Sequence, residues 1–407
     1  MILVSTIANW ARNQNEIRQA HLPTIKSVET LIVQLPTRRE HKWAGLTEVI
    51  GRYVIVKMTD SDGRVGWGEA PALKDWGGEF GRYFGESALI ARVVIDTYLA
   101  PAIVGVELGN IAELHARMDA VIRGYPYSKA AVEFAAYDLA GRWLDIPVST
   151  LLGGRARDRV PVTHSIGLIS IEEARVEVAK LVQEGVRTIK VKIGVDPDRD
   201  VAMVDAVREV AGNAVEICVD ANEGYKTPGE AVQIVRRMEK NRLKYVEQPV
   251  MGIERIAEVG RRIDAPVMAD ESAWNAHDSI QIVRSGGIQI VSIYTTKAGG
   301  LYKAMEVGAV CRAAGIICNV NGSIETGIGN LANVQLAAAS PSVTLSCVIP
   351  ISTPAEFQHG QVAGIYYKDD LLAEPMKVAD GAIVVPSGPG MGIEVDQKKI
   401  EKYRVRD

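Results

Sequence analysis

Three carboxylates end three apolar runs at nearly even spacing, and this pattern restricts the fold more than any other. Asp220 closes Ile217-Cys218-Val219, Glu247 closes Tyr245-Val246 and Asp270 closes Val267-Met268-Ala269. A short apolar run bounded by a charge reads as a buried parallel strand. Extending the pattern predicts strand ends near His164, Lys192, Asp220, Glu247, Asp270, Tyr294, Asn319 and Cys347, with gaps of 28, 27, 23, 24 and 25 residues between Lys192 and Asn319. Each gap holds one βα unit. Amphipathic helices are predicted at Ile171 to Glu184, Arg199 to Val210, Pro228 to Lys240, Ile253 to Ile263 and Lys303 to Ala314. Eight units over about 200 residues predict a closed barrel, because no glycine-rich phosphate turn follows the first strand as it would in a doubly wound sheet.

In such a barrel the C-terminal strand ends share one mouth, so Asp220, Glu247 and Asp270 can meet around one hard divalent cation. One acid at a βα junction reads as a helix N-cap. Three in succession do not. Lys190 and Lys192 fall on one side of the preceding strand by alternation, which places both cations at the same mouth.

Ahead of the barrel, the β-branched or alternating runs Val28 to Val33, Tyr53 to Lys57 and Val65 to Glu69 predict a meander, with Asp60-Ser61-Asp62-Gly63 as a turn. Helical spacing at Leu89 to Leu99, Ile111 to Ile122 and Lys129 to Leu144 completes an α+β domain. The predicted layout is a polar N-terminal extension (1–25), an α+β capping domain (26–152), a barrel (153–350) and a C-terminal segment that returns to the capping domain (351–407). Gly388-Pro389-Gly390-Met391-Gly392 reads as a turn, because it opens no helix after a strand. The four cysteines lie in apolar runs without metal-ligand spacing and read as buried free thiols in a reducing compartment. A net charge of −4 gives no basic face for nucleic acid or an anionic membrane, and the four apolar residues at the start are too few for a signal core or a membrane span. The expectation is a cytoplasmic protein acting on a small molecule.

The motifs together resemble the enolase superfamily, in its muconate lactonizing enzyme subgroup. The resemblance rests on Leu35-Pro36-Thr37 with His41-Lys42, Pro147-Val148-Ser149 with Leu151-Leu152-Gly153-Gly154, and Lys190-Val191-Lys192-Ile193-Gly194. It extends through Val219-Asp220-Ala221-Asn222, Glu247-Gln248-Pro249, Ala269-Asp270-Glu271-Ser272 and Glu325-Thr326-Gly327-Ile328-Gly329. It implies a modified (β/α)7β TIM-like barrel of the α/β class under an N-terminal α+β capping domain, in a homo-oligomer. It further implies Mg2+, with Mn2+ as an alternative, on Asp220, Glu247 and Asp270, and a carboxylate substrate. Lys192 would exchange a substrate proton, and Lys190 would lower the pKa of Lys192 and help hold the substrate anion. Asn222 is expected behind the metal ligands or on a water, and Glu325 as a mouth carboxylate. His41 and Trp43 are candidate substrate contacts, and His164 is either a substrate contact or a satisfied core or rim residue.

One position departs from the subgroup. Its second lysine ends the sixth strand five residues before a Gly-Gly pair, and Gly299-Gly300 puts Tyr294 there. Lys297 lies three residues on and reads as a loop or helix-start cation. Ile316 to Asn321 offers Asn319 and Asn321 but no histidine as a substitute base. A racemase needs a competent base on each face, and a tyrosine with a pKa near 10 is a poor base but a serviceable acid. This favours cycloisomerisation of an unsaturated diacid, with dehydration of a hydroxy or sugar acid as the alternative. Racemisation or epimerisation ranks lower, and a non-catalytic carboxylate binder ranks last. Tyr294 would then be a leaving-group acid, a hydrogen-bond donor or a wall of the pocket. The loop from Leu35 to Trp43 favours the cycloisomerase, whereas Gly51-Arg52-Tyr53, Trp76, Arg82 and Tyr83 are residues from which a polar pocket for a hydroxylated acid could be built.

Overall fold

The computed structural model describes residues 22–38, 42–43, 50–78, 82–322, 324–351 and 366–406. Strands β1 (Ile25–Gln34), β2 (Arg52–Asp60) and β3 (Val65–Pro71) form an antiparallel meander, with Val33 opposite Tyr53 and Val56 opposite Gly68. Asp60 makes the β2–β3 turn by accepting from the backbone N–H groups of Asp62 and Arg64, while Gly63 takes φ +87°.

The helix Pro126–Leu144 lies directly on β3. Gly66 and Gly68 permit this approach, since a Cβ at either would overlap the carbonyls of Ala135 and Ala131. The first predicted helix is interrupted. Ala88–Val94 passes through a π turn, Ile95–Leu99, into Ala100–Ile103, with Pro101 at the start of that last piece.

Strands β4 (Arg159–Pro161) and β5 (Thr163–Ile166) follow. β5 begins a parallel sheet that continues in chain order through β6 (Thr188–Lys192), β7 (Glu216–Asp220), β8 (Leu243–Glu247), β9 (Val267–Ala269), β10 (Ile290–Ile293) and β11 (Ile317–Val320). Residues 343–348 bridge its two edges. Val343 and Val348 pair with Cys318 and Asn321, and Cys347 pairs with Val162 and exchanges hydrogen bonds with Pro161 and Thr163. The curled sheet is thus a modified barrel of seven parallel strands with a short closing segment, beneath a separate capping sheet.

Cys218, Tyr245, Met268 and Ile290 pack together from four successive strands, so the barrel is filled rather than hollow. All four cysteines are buried and unpaired. Among the described residues no helix is long and apolar enough to cross a membrane.

The C-terminal segment touches both parts. β12 (Val378–Ala379) and β13 (Ala382–Val384) join β4, and beyond the helix Gln397–Tyr403 the Val405 N–H donates to Ile32 on β1. Gly390 sits in its turn against Asp138 and accepts from the Val148 N–H, leaving no space for a side chain.

Candidate active site

The strand register gathers the site. Lys192 is the Cα partner of Asp220, and Asp220 of Glu247, so the last residues of β6, β7 and β8 point the same way. Asp270 is the first residue beyond β9. Lys190 Nζ lies 3.1 Å from both Glu247 carboxylate oxygens and 3.2 Å from Asp220 Oδ2. Lys192 Nζ lies 2.6 Å from Asp220 Oδ2 and 2.7 Å from Asn222 Oδ1. Lys297 Nζ lies 2.5 Å from Asp270 Oδ1 and 2.6 Å from the Asp270 carbonyl. Three buried acids therefore meet three buried ammonium groups.

Burial alone would pull Lys190 down, but Glu247 and Asp220 outweigh it and hold the group above its usual range. Asp220 shows the reciprocal effect, in which Lys192 and Lys190 overcome burial and hold the carboxyl below its usual range. Glu247 is pushed up to about 8, first by burial and then by the charge of Asp220.

As they stand, no three His, Cys, Asp or Glu side chains among the described residues are drawn close enough to hold a metal. The lysines separate the carboxylates by occupying their oxygens. The donor set nevertheless fits a hard divalent cation: it is all carboxylate oxygen, and burial together with the like charges of Asp220 and Asp270 raises Glu247, a cost that such a cation would relieve.

A cavity of about 30 Å³ opens beside these groups, with Lys190, Lys192, Asn222 and Asp270 on its polar side. Trp43, Trp76, Tyr294 and Tyr366 supply aromatic walls. This is room for about two waters. Lys192 Nζ stands 5.8 Å from the Trp43 ring, and Lys297 Nζ stands 4.4 Å from the Tyr294 ring and 5.4 Å from Trp76.

Residues 27–153 match the family described as Mandelate racemase / muconate lactonizing enzyme, N-terminal domain, and residues 173–399 match Enolase C-terminal domain-like. Muconate cycloisomerase 1 of Rhodococcus opacus is 32% identical over 93% of this chain and 98% of that protein. The chain belongs to the mandelate racemase/muconate lactonizing enzyme family of the enolase superfamily. Many solved structures share its fold. The N-succinyl Arg/Lys racemase from Bacillus cereus has a TM-score of 0.85 at 28% identity, over 94% of this chain and 98% of that one. The dipeptide epimerase from Enterococcus faecalis, complexed with Mg and the dipeptide L-Leu-L-Tyr, has a TM-score of 0.82 at 27% identity, over 91% and 99%. This chain is accordingly an enolase-superfamily enzyme.

Several expected contacts lie elsewhere. His164 faces away from the cavity and pairs through Nε2 with Glu177 at 2.8 Å. Its neighbour Ser165, the Cα partner of Lys190, lines the cavity in its place. Glu325 is buried and does not line the cavity; its Oε2 accepts from the Ile324 N–H at 3.1 Å. Arg82 and Tyr83 dock on Asp278 of the barrel, and Tyr53 is fully buried against Ile324 and Tyr367, so of the residues named for a polar pocket Trp76 alone lines the cavity. His41 lies outside the described residues. Lys297 is on the one-turn helix Thr295–Ala298, but it is buried rather than solvated. The sequence reading missed Glu271, whose signal was a second acid directly after Asp270.

Proposed function

We propose that this family member is a Mg2+-dependent isomerase of a small carboxylic acid, acting in the manner of a muconate cycloisomerase, with Lys192 as the group that carries the substrate proton. One observation carries the reading: Lys192 presents its ammonium at the cavity, while the side chain standing where the subgroup has its second lysine is the phenol of Tyr294. Lys297 does not substitute as a second base, since it is absent from the cavity wall that Lys192 lines. The chemistry is therefore one-sided.

Asp220, Glu247 and Asp270 would hold the Mg2+. When bound, the ion would supply the positive charge that stabilises the α-carbanion formed as one carboxylate of the diacid adds to the double bond, before Lys192 protonates that carbon. Lys190, held protonated between two acids, adds a fixed positive charge near the substrate carboxylate. Lys192 hands over or takes up the proton, and Asn222 steadies it. Tyr294 offers an O–H to the opposite side.

A screen of unsaturated diacids and hydroxy acids with Mg2+, read by absorbance and mass, tests this. An unchanged mass with altered absorbance supports isomerisation. Loss of the mass of one water would replace the reading with a dehydratase.

A further inference from the structure

Glu271 is an unusual residue to bury. Its side chain is 3% exposed and surrounded by the negative charges of Asp270, Asp220 and Glu223, and its Oε2 has no hydrogen-bond partner among the described residues. A buried acid in such company costs stability, so its presence points to work done elsewhere. The other oxygen shows what that work is. Glu271 Oε1 accepts from Asn222 Nδ2 at 2.8 Å, and Asn222 Oδ1 accepts from Lys192 Nζ at 2.7 Å.

We propose that Glu271 is a positioning residue for Lys192, acting through the Asn222 amide. The logic lies in donor and acceptor identity. An ammonium only donates and a carboxylate only accepts, so the Asn222 amide satisfies both in one orientation alone. Turning it over would set NH2 against NH3+ and carbonyl against carboxylate. The backbone beneath is also held. Asn222 takes φ +42°, a left-handed conformation that asparagine tolerates well, and its N–H donates to Asp220 Oδ1 at 3.0 Å. Glu271 is held from its own side by the Trp274 Nε1–H, which donates to the Glu271 carbonyl at 2.8 Å. Two of the three Lys192 ammonium protons are thereby aimed at Asp220 and Asn222, and the ammonium is fixed beside the Trp43 ring.

This inference rests on Lys192 as the proton carrier, but its test needs no turnover and no substrate. Reductive methylation with formaldehyde and a borane, reagents small enough to reach a buried amine, is followed at Lys192 by peptide mass spectrometry of the full chain with EDTA present, at one fixed pH. Glu271→Leu removes the acceptor while filling the space, and Lys192 labelling rises by about tenfold as the Asn222 amide swings free and one charge-assisted hydrogen bond is lost. Glu271→Gln keeps a carbonyl acceptor for Asn222 Nδ2 and labels as the wild type does. Should Glu271→Leu fail to fold, Glu271→Ala takes its place. Equal labelling of the Leu variant and the wild type would overturn the proposal. So would a rise in Glu271→Gln equal to that in Glu271→Leu, because charge rather than the amide relay would then be responsible.

Discussion

Replacing Lys297 by Met separates the pairing of Asp270 from the binding of a cation there. Lys297 Nζ lies 2.5 Å from Asp270 Oδ1, with the two side chains 0% and 2% exposed. Methionine matches the length and apolar bulk of the lysine stem, so little is lost except the ammonium. Removing one member of a buried pair leaves its partner's charge uncompensated and costs about 3–5 kcal/mol. Lys190 is also near enough to act on this cluster, so the lower end, about 3 kcal/mol, is expected in metal-free protein. If Mg2+ binds Asp270, the ion takes over the compensation and the penalty shrinks to about 1 kcal/mol. By linkage, the roughly 2 kcal/mol difference appears as Mg2+ binding about 30-fold more tightly to Lys297→Met than to the wild type. Urea unfolding of both proteins, in EDTA and in excess MgCl2, measures all four corners. An equal penalty with and without Mg2+ would refute the placement of the ion on Asp270.

Other residues give sharper local tests. Gly300→Ala puts a Cβ into the Glu133 carboxylate at φ +133°, where Glu133 caps the helix Leu301–Ala313 by accepting from the Leu301 and Tyr302 N–H groups; thermal unfolding should show a loss of about 3 kcal/mol from strain and a displaced cap. Glu86 is buried against the start of the helix Pro126–Leu144, and burial pushes its carboxyl up to about 7 from 4.5. A raised carboxyl contributes stability that is complete below pH 4.5 and is lost as pH rises through about 7, so wild-type stability falls relative to Glu86→Gln by about 3 kcal/mol between pH 4.5 and 8 in urea titrations. Tyr294→Phe should leave α-proton exchange intact; a fall in kcat of about 10²-fold would mark the phenol as the leaving-group acid of a dehydration, and little change would mark the ring as a wall of the pocket.

The barrel was legible because its strands are buried on both faces and end in charge. The predicted ends at Lys192, Asp220 and Glu247 are the last residues of β6, β7 and β8. Which way a side chain faces was harder to read. His164 read equally as a satisfied core or rim residue and as a substrate contact, because facing depends on the register with β6: His164 pairs with Ile189 and Ser165 with Lys190. A one-residue offset reverses such a reading. Lys297 lies past a strand end, where charge ordinarily means solvent. The one-turn helix folds it back instead, aided by positive φ at Gly299 and Gly300, and conceals it against Asp270. Glu271 was invisible for another reason, since its part depends on the orientation of an amide two strands away. The interrupted helix 88–103 keeps an apolar periodicity that reads as one continuous element, and the π turn shifts that periodicity without breaking it.

The central claim is proton exchange by Lys192 with the help of a divalent cation. The most direct measurement incubates the wild type with unsaturated diacids in D2O and counts deuterons taken up by mass spectrometry. The account predicts that one deuteron enters the carbon next to a carboxylate on a single face, that EDTA abolishes the uptake, and that Lys192→Ala lowers it by at least about 10²-fold. Uptake on both faces, or uptake that survives EDTA or Lys192→Ala, would contradict it.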